Sequence, residues 1–370
     1  MLLRYLSSLG PRISDHTVLS LIEDGSVGIA MRDLGVAVDT LGLSAGQITP
    51  AALPQLRSRL SALAPDVVHG WMYHGCLSSW AALAGRRARR PRLVWGIHHS
   101  LQDIRNEKRS SRAVIRTMAA LSGRTDAITY CSDTSRRQHE AIGFAPDKSV
   151  LIPNAVNAEQ FRPDPAAHAH LAEICGVPEG RLLIGNVARS HPMKDHPSMV
   201  QACAQLLQQG HDVQAVLIGE GHGDGPALAE AKKLGIADRV TALEVRDDIA
   251  ALVPGLDVFL LCSAWGEAFP LAVTEAMAAG VPCVVTDVGD CAVLVGDTGI
   301  VVPPQDPAVQ AEAVSQLISL GREGRQELGA KARERVQKFY STDIYRDEHD
   351  KLYRAVSFGE TTQTRQSVSA

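Results

Sequence analysis

Three stretches in the second half of the chain carry side chains suited to binding an anion and a polyol. The first is Arg189-Ser-His-Pro-Met-Lys194-Asp195-His-Pro197. It follows the apolar run Leu182–Val187, so it lies at a strand end entering a helix. Asp195 is placed to cap that helix, with Pro197 in its first turn. A guanidinium fork, an ammonium and unpaired helix amides together suit a diphosphate. The plainer alternative is a solvated loop.

The second stretch runs Ser263-Ala-Trp-Gly266-Glu267-Ala268-Phe269-Pro270-Leu271 and on through Glu275 to Gly280. Pro270 fits the first helical position and Gly280 fits just past the end. Glu267 then sits on the loop and Glu275 on the helix. Helical side chains tilt toward the N-terminus, so both carboxylates border one pocket and can accept from sugar hydroxyls. Spacing alone is weak here, because two acids seven residues apart are common. The third stretch, Gly219 to Gly225, lacks the G-x-G-x-x-G spacing. It reads as a loop lining the site, not a dinucleotide fingerprint.

These loops need a scaffold of strands. Short β-branched runs alternate with helical patterns along the whole chain. In the first half they are His16–Leu21, Val36–Thr40, Asp66–His69, Leu93–Gly96, Ala127–Tyr130 and Val150–Ile152. In the second half they are Leu182–Val187, Val213–Ile218, Val240–Leu243, Val258–Leu261, Pro282–Thr286 and Gly299–Val302. Such alternation predicts parallel sheets with right-handed crossovers, here in two doubly wound α/β domains. Ligands of these sheets bind at the carboxyl ends of the strands. The expected domains are 1–163 and 164–340, with a joint in Asn154–Pro165. A return helix and a disordered tail follow over 341–370, the tail beginning at Ser357.

Composition narrows the class. The chain is 45% hydrophobic and 21% charged, in keeping with a water-soluble globular protein. Seven scattered cysteines without a C-x-x-C pair argue for reduced thiols in the cytoplasm, and against a zinc site or disulfide scaffold. No apolar run is long enough to span a membrane. Residues 1–160 hold 19 Lys/Arg against 13 Asp/Glu, so the first half is basic and the second acidic. Arg86, Arg87, Arg89, Arg90 and Arg92 cluster. Arg105, Lys108, Arg109, Arg112 and Arg116 follow at the spacing of one helix face. That face suits anionic membrane or a lipid-diphosphate acceptor; the alternative is a solvated helix face. Nucleic acid is not an expected partner.

The blocks from Asn154 to Pro307 resemble the retaining glycosyltransferase family four. They comprise an Arg five residues before a Lys, a Glu–seven–Glu segment, the strand end Val285-Thr286-Asp287-Val288-Gly289-Asp290, and Val302-Pro303-Pro304-Gln-Asp306-Pro307. The resemblance implies the GT-B fold, two Rossmann-like doubly wound domains facing across a cleft, with the donor in the second. Carried over, Arg189 and Lys194 hold the donor diphosphate, Glu267 the transferred sugar and Glu275 the ribose. Amides near Ala268, Phe269, Pro270 and Leu271 bind sugar and phosphate, and the turn carrying Arg246 faces the base.

It further implies a retaining sugar transfer from a nucleotide-sugar, without metal or cofactor, to a glycan or lipid-linked acceptor. Polysaccharide, lipopolysaccharide or glycolipid synthesis at the inner face of the membrane is the expected setting. His98, after Leu93–Gly96, is a catalytic candidate; His99 and His74 rank behind it, and the alternative is a hydrogen-bonded structural histidine. The family's opening strand and glycine loop have no counterpart here, where the sequence starts at an apolar-faced helix through Leu2, Leu3, Leu6 and Leu9. An upstream start would restore that strand. A degenerate, non-catalytic binding protein and a GT-B nucleotide-sugar epimerase are the competing expectations.

Overall fold

A computed structural model describes residues 1–44, 52–85, 90–178 and 180–359. The chain divides into two compact units. The first holds Met1–Asn154 together with the helix Thr342–Phe358, and the second holds Ala155–Ser341. That last helix includes Ser357 and Phe358, which the sequence reading gave to the tail. Its stripe of Tyr345, His349, Leu352 and Val356 is buried and carries it that far. Of the first basic cluster, Arg86, Arg87 and Arg89 lie outside the described residues.

The strands are β1 Thr17–Ile22, β2 Ala37–Leu43, β3 Val67–Trp71, β4 Arg92–Ile97, β5 Ala127–Tyr130 and β6 Ser149–Leu151 in the first unit. In the second they are β7 Leu182–Val187, β8 Val213–Ile218, β9 Val240–Leu243, β10 Val258–Leu261, β11 Cys283–Thr286 and β12 Gly299–Val302. All are parallel to their neighbours. The second unit's sheet has the order β12-β11-β10-β7-β8-β9. Its strands are near-continuous apolar runs because helices cover both faces. Every residue of β8, β10 and β11 is buried. The order reverses at β7, which pairs with β8 on one side and with β10 on the other.

The first unit is built in two pieces, β1-β2 and β3-β4-β5-β6, with no described strand joining them. The basic helix is shorter than the charge spacing suggests. It runs Arg109–Leu121, burying Ile115 and Met118. Arg105 belongs instead to a separate 3₁₀ turn, Ile104–Asn106, where Asp103 caps the turn and grips the Arg105 guanidinium at 2.7 Å. Extended backbone at Glu107 and Lys108 separates the two.

A group of buried rings sits inside the first unit. His69 Nδ1 is 2.8 Å from Tyr353 Oη, His139 Nε2 is 2.8 Å from Tyr73 Oη, and His349 Nδ1 meets Tyr345 O at 2.9 Å. Burial disfavours the imidazolium, holding His139 and His349 at about 4 and His69 well below its usual value. Such groups stay neutral in the folded state but protonate on unfolding below pH 6.5. Stability is therefore intact above 6.5 and falls as pH drops toward 4, by about 1 kcal/mol per pH unit for each ring. Denaturant titrations at pH 7, 6 and 5, followed through buried Trp95, should show this loss. A flat profile would contradict it.

Candidate active site

The site grows from the reversal of strand order. β7 and β10 are neighbours although two strands lie between them in sequence, so the loops that leave them diverge and open a crevice at their carboxyl ends. Asn186 clamps the two strands there. Its Nδ2 donates to Leu260 O at 2.7 Å, and its Oδ1 accepts from His196 Nε2 at 3.2 Å. His196 opens the helix His196–Gln208 and is kept neutral, with a pKa of about 3, mainly by burial.

Four strand-end loops are then tied together through their backbones. Ser190 N donates to Glu220 O at 2.7 Å, Ala264 N to Met193 O at 2.8 Å, and Asp290 N to Ala268 O at 3.1 Å. Two glycines permit the approach. A β-carbon at Gly219, where φ is +144°, would lie 2.4 Å from Ala188 O. At Gly289, where φ is +64°, it would lie 2.2 Å from Glu267 O. Both distances are shorter than any tolerable contact, so only glycine fits.

Within this frame Lys194 Nζ lies 2.5 Å from Glu267 Oε1, and Ser263 Oγ donates to the same oxygen at 2.6 Å. Glu267 is 6% exposed, and the Lys194 side chain 17%. The two predicted site residues thus meet each other directly, an acid and a base nearly out of water. The Lys194 carbonyl accepts from Cys262 Sγ, which fixes the backbone beneath the ammonium. Arg189 begins the same loop. It is exposed and makes no ion pair among the described residues.

Ala268 and Phe269 follow Glu267, and Phe269 packs edge-on against Tyr340 at 5.2 Å. Pro270 is the cap residue of the helix Leu271–Ala278, one position before the expected place. Its ψ of 112° is extended, so helical geometry starts only at Leu271. Glu275 is half-buried on that helix, just over one turn in. Asp195 does precede its helix, but with φ +48° its carboxylate turns to Ser198 Oγ at 2.6 Å instead of capping an amide. Arg246 is gripped by Asp248 at 2.7 and 2.5 Å. In the glycine loop, amides of Gly221 and Gly223 donate to the Glu244 carboxylate at 3.0 and 2.8 Å. An anion already answers those donors, and they lower its pKa.

His98 belongs to the first unit. It stacks on Trp71 at 4.8 Å and 5°, and its Nδ1 is 3.0 Å from Asn154 Oδ1. Burial lowers its pKa to about 4, so the ring is neutral near pH 7. Its Nε2 is buried and finds no partner among the described residues. His99 pairs instead with Glu107 at 3.0 Å, and His74 is half-buried on the helix Met72–Leu83.

Sequence reasoning missed Asn186 and the role of Ser263. A polar residue inside the apolar run Leu182–Val187 was the available signal for the first. Nothing in the sequence marks Ser263 as the third member of the Lys194–Glu267 group. No cluster of three or more His, Cys, Asp or Glu side chains suited to a metal occurs among the described residues.

Removing one partner of a near-buried ion pair strands the other charge. Lys194→Met should therefore cost about 2–3 kcal/mol of stability, discounted for its partial exposure. The double variant Lys194→Met/Glu267→Gln should recover a good part of this. Thermal or denaturant unfolding of the four proteins measures the coupling, and strictly additive effects would rule the pair out as a stabilising unit.

Comparison with known proteins bears on the family and the fold. Residues 2–160 match the model for glycosyltransferase family 4, and residues 171–335 that for glycosyl transferases group 1. A putative glycosyltransferase of Bacillus subtilis, EpsF, is 29% identical over 211 residues, covering 57% of this chain and 55% of that protein. The chain thus spans about half the length of the first curated relatives it matches. A GDP-mannose-dependent alpha-(1-6)-phosphatidylinositol monomannoside mannosyltransferase of Mycobacterium tuberculosis is 27% identical over 342 residues, covering 88% of this chain and 79% of that one. Among solved structures, Anabaena HepE in complex with UDP-glucose superposes with a TM-score of 0.81 at 19% identity, covering 95% of each chain. At that identity the likeness speaks to the fold. By these matches, and by its two Rossmann-like units, the chain belongs to the group 1 glycosyltransferases of family 4, on the GT-B fold.

Proposed function

We propose that this chain transfers a sugar from a nucleotide-sugar to a glycan or lipid-linked acceptor, with retention at the anomeric carbon. The observation that carries the reading is the Lys194–Glu267–Ser263 group at the β7/β10 reversal, with Arg189 on the same loop. A diphosphate leaving group develops negative charge as the sugar departs. Arg189 and Lys194 stabilise that charge, together with amides of the Ala268–Leu271 segment. Glu267 holds Lys194 in place and accepts from the sugar; Glu275 accepts from the ribose; the Arg246 turn meets the base. His98, neutral and with an Nε2 that has no partner among the described residues, accepts from a substrate hydroxyl. The names of related proteins, which mention UDP-glucose and GDP-mannose, support a nucleotide-sugar donor.

Lys194 is bound into the fold, whereas Arg189 is not. Arg189→Ala should thus leave the unfolding midpoint unchanged while lowering kcat/KM by about 2–4 kcal/mol, the scale of one lost electrostatic contact. The assay is transfer from a panel of UDP-, GDP- and ADP-sugars, with the anomeric configuration of the product read by NMR. Unchanged kcat/KM in Arg189→Ala would remove Arg189 from the site, and an inverted product would refute retention.

The charge on the diphosphate is met by side chains and amides in this reading, so turnover should survive EDTA. Loss on chelation, restored by Mn²⁺ or Mg²⁺, would overturn that part.

A lipid-linked acceptor brings the protein to a membrane surface. No described helix is long and apolar enough to cross one. Contact would fall to Arg109, Arg112 and Arg116 on the Arg109–Leu121 helix, with Lys108 beside them. Arg105 contributes less, being neutralised by Asp103. Replacing Arg109, Arg112 and Arg116 by Glu should abolish sedimentation with anionic vesicles. For the parent protein, binding should weaken as salt rises past about 0.1 M. A parent protein that ignores such vesicles at low salt would exclude this surface.

A further inference from the structure

The loop after β8, Gly219 to Gly225, sets one imidazole, that of His222, among four glycines and two acids. A histidine in so polar a loop ordinarily faces water. This one is fully buried, and the proposed transfer gives it no task.

Two contacts hold the ring. Its Nε2 lies 2.7 Å from Ala188 O. A carbonyl only accepts, so Nε2 carries the hydrogen. The ring of His196 stands perpendicular to it at 87°, with the centroids 4.7 Å apart. His196 is bonded in turn to Asn186, and Asn186 to Leu260 O. A line of three side chains thus runs from the Leu260 carbonyl on β10 to the Ala188 carbonyl just past β7.

The backbone on either side of this contact is clamped. The Glu244 carboxylate takes the amides of Gly221 and Gly223, the two neighbours of His222. Across the contact, Ala188 N donates to Ile218 O at 3.0 Å and Ser190 N to Glu220 O at 2.7 Å. Arg189 is the residue between those two amides. Its backbone is therefore held from both neighbours, while its side chain is exposed.

We infer that His222 is a positioning residue for the donor diphosphate: it fixes the Ala188–Arg189 peptide and so sets where the guanidinium meets the phosphates. The inference rests on the proposed place of Arg189 in the donor site. An imidazole suits this task. It is rigid beyond two side-chain torsions, and it offers one donor at the end of a ring that packing on His196 keeps in one orientation. An apolar side chain of similar size would fill the space but leave the Ala188 carbonyl without that donor. Placement matters because a shift of about 1 Å in a charged group at a reacting centre can cost up to a hundredfold in rate.

The test uses the full chain with His222→Leu, which removes the donor, and His222→Gln, whose amide can still donate. Both are made alone and together with Arg189→Ala. Affinity for UDP and for GDP is read by calorimetry, and amide exchange at Ala188 and Ser190 by NMR. His222→Leu should weaken the better-bound nucleotide by about fivefold or more in the parent, and by less than about twofold when Arg189 is already alanine. It should also speed exchange at Ser190, and His222→Gln should restore both. His222→Met, nearer the imidazole in volume, takes the place of His222→Leu if that variant does not fold. Equal weakening with and without Arg189, parent-like affinity or exchange in His222→Leu, no rescue by a folded His222→Gln, or failure of both apolar variants to fold would overturn the inference. Failure of the donor reading looks different: Arg189→Ala then binds both nucleotides as the parent does, or the parent binds neither, and the inference falls with it.

Discussion

The candidate site depends on one topological fact: β7 pairs with β10. Without the reversal at β7, the loop carrying Arg189 and Lys194 and the loop carrying Ser263 and Glu267 would be separated by β8 and β9. With it, both leave neighbouring strand ends, and Asn186 holds those strands with a hydrogen bond to Leu260. The close backbone approaches at Gly219 and Gly289 draw in the β8 and β11 loops. Each layer narrows the positions open to the next, until Lys194 Nζ and Glu267 Oε1 meet at 2.5 Å.

That meeting is an electrostatic compromise. Desolvating an ammonium and a carboxylate costs several kcal/mol per ion, recovered only with good geometry and further hydrogen bonds. Ser263 supplies one, and Cys262 steadies the lysine backbone. The pair is therefore preorganised, with little side-chain reorganisation left for the reaction. Arg189 is the opposite case, an exposed cation on the same loop that carries no such internal constraint. A fixed charge and an adjustable one on one loop suit an anion whose charge grows during the reaction.

Much of this was legible in the sequence. Period and β-branching marked the twelve described strands to within three residues at each end, because parallel strands covered on both faces must be apolar throughout. Arg189, Lys194, Glu267 and Glu275 were singled out by side-chain chemistry at strand ends and helix entries, and of these the structure brings Lys194 and Glu267 into contact. What escaped was set by through-space geometry. The Lys194–Glu267 contact spans 73 residues of chain, and no spacing rule encodes it. The Arg105–Arg116 stripe had helical spacing, but Asp103 competed for Arg105 and split the segment. Asp195 looked like an N-cap, yet its left-handed backbone sends the carboxylate to a hydroxyl.

The account's central claim is that the β7/β10 crevice of the second unit holds a nucleotide-sugar by its diphosphate. The most direct measurement is a crystal structure of this chain with a bound nucleotide-sugar that supports turnover. The account predicts phosphate oxygens within hydrogen-bonding distance of the Arg189 guanidinium and Lys194 Nζ, with the sugar at Glu267 and the ribose at Glu275. A nucleotide bound elsewhere, or one whose phosphates face neither cation while Lys194 stays closed on Glu267, would contradict it.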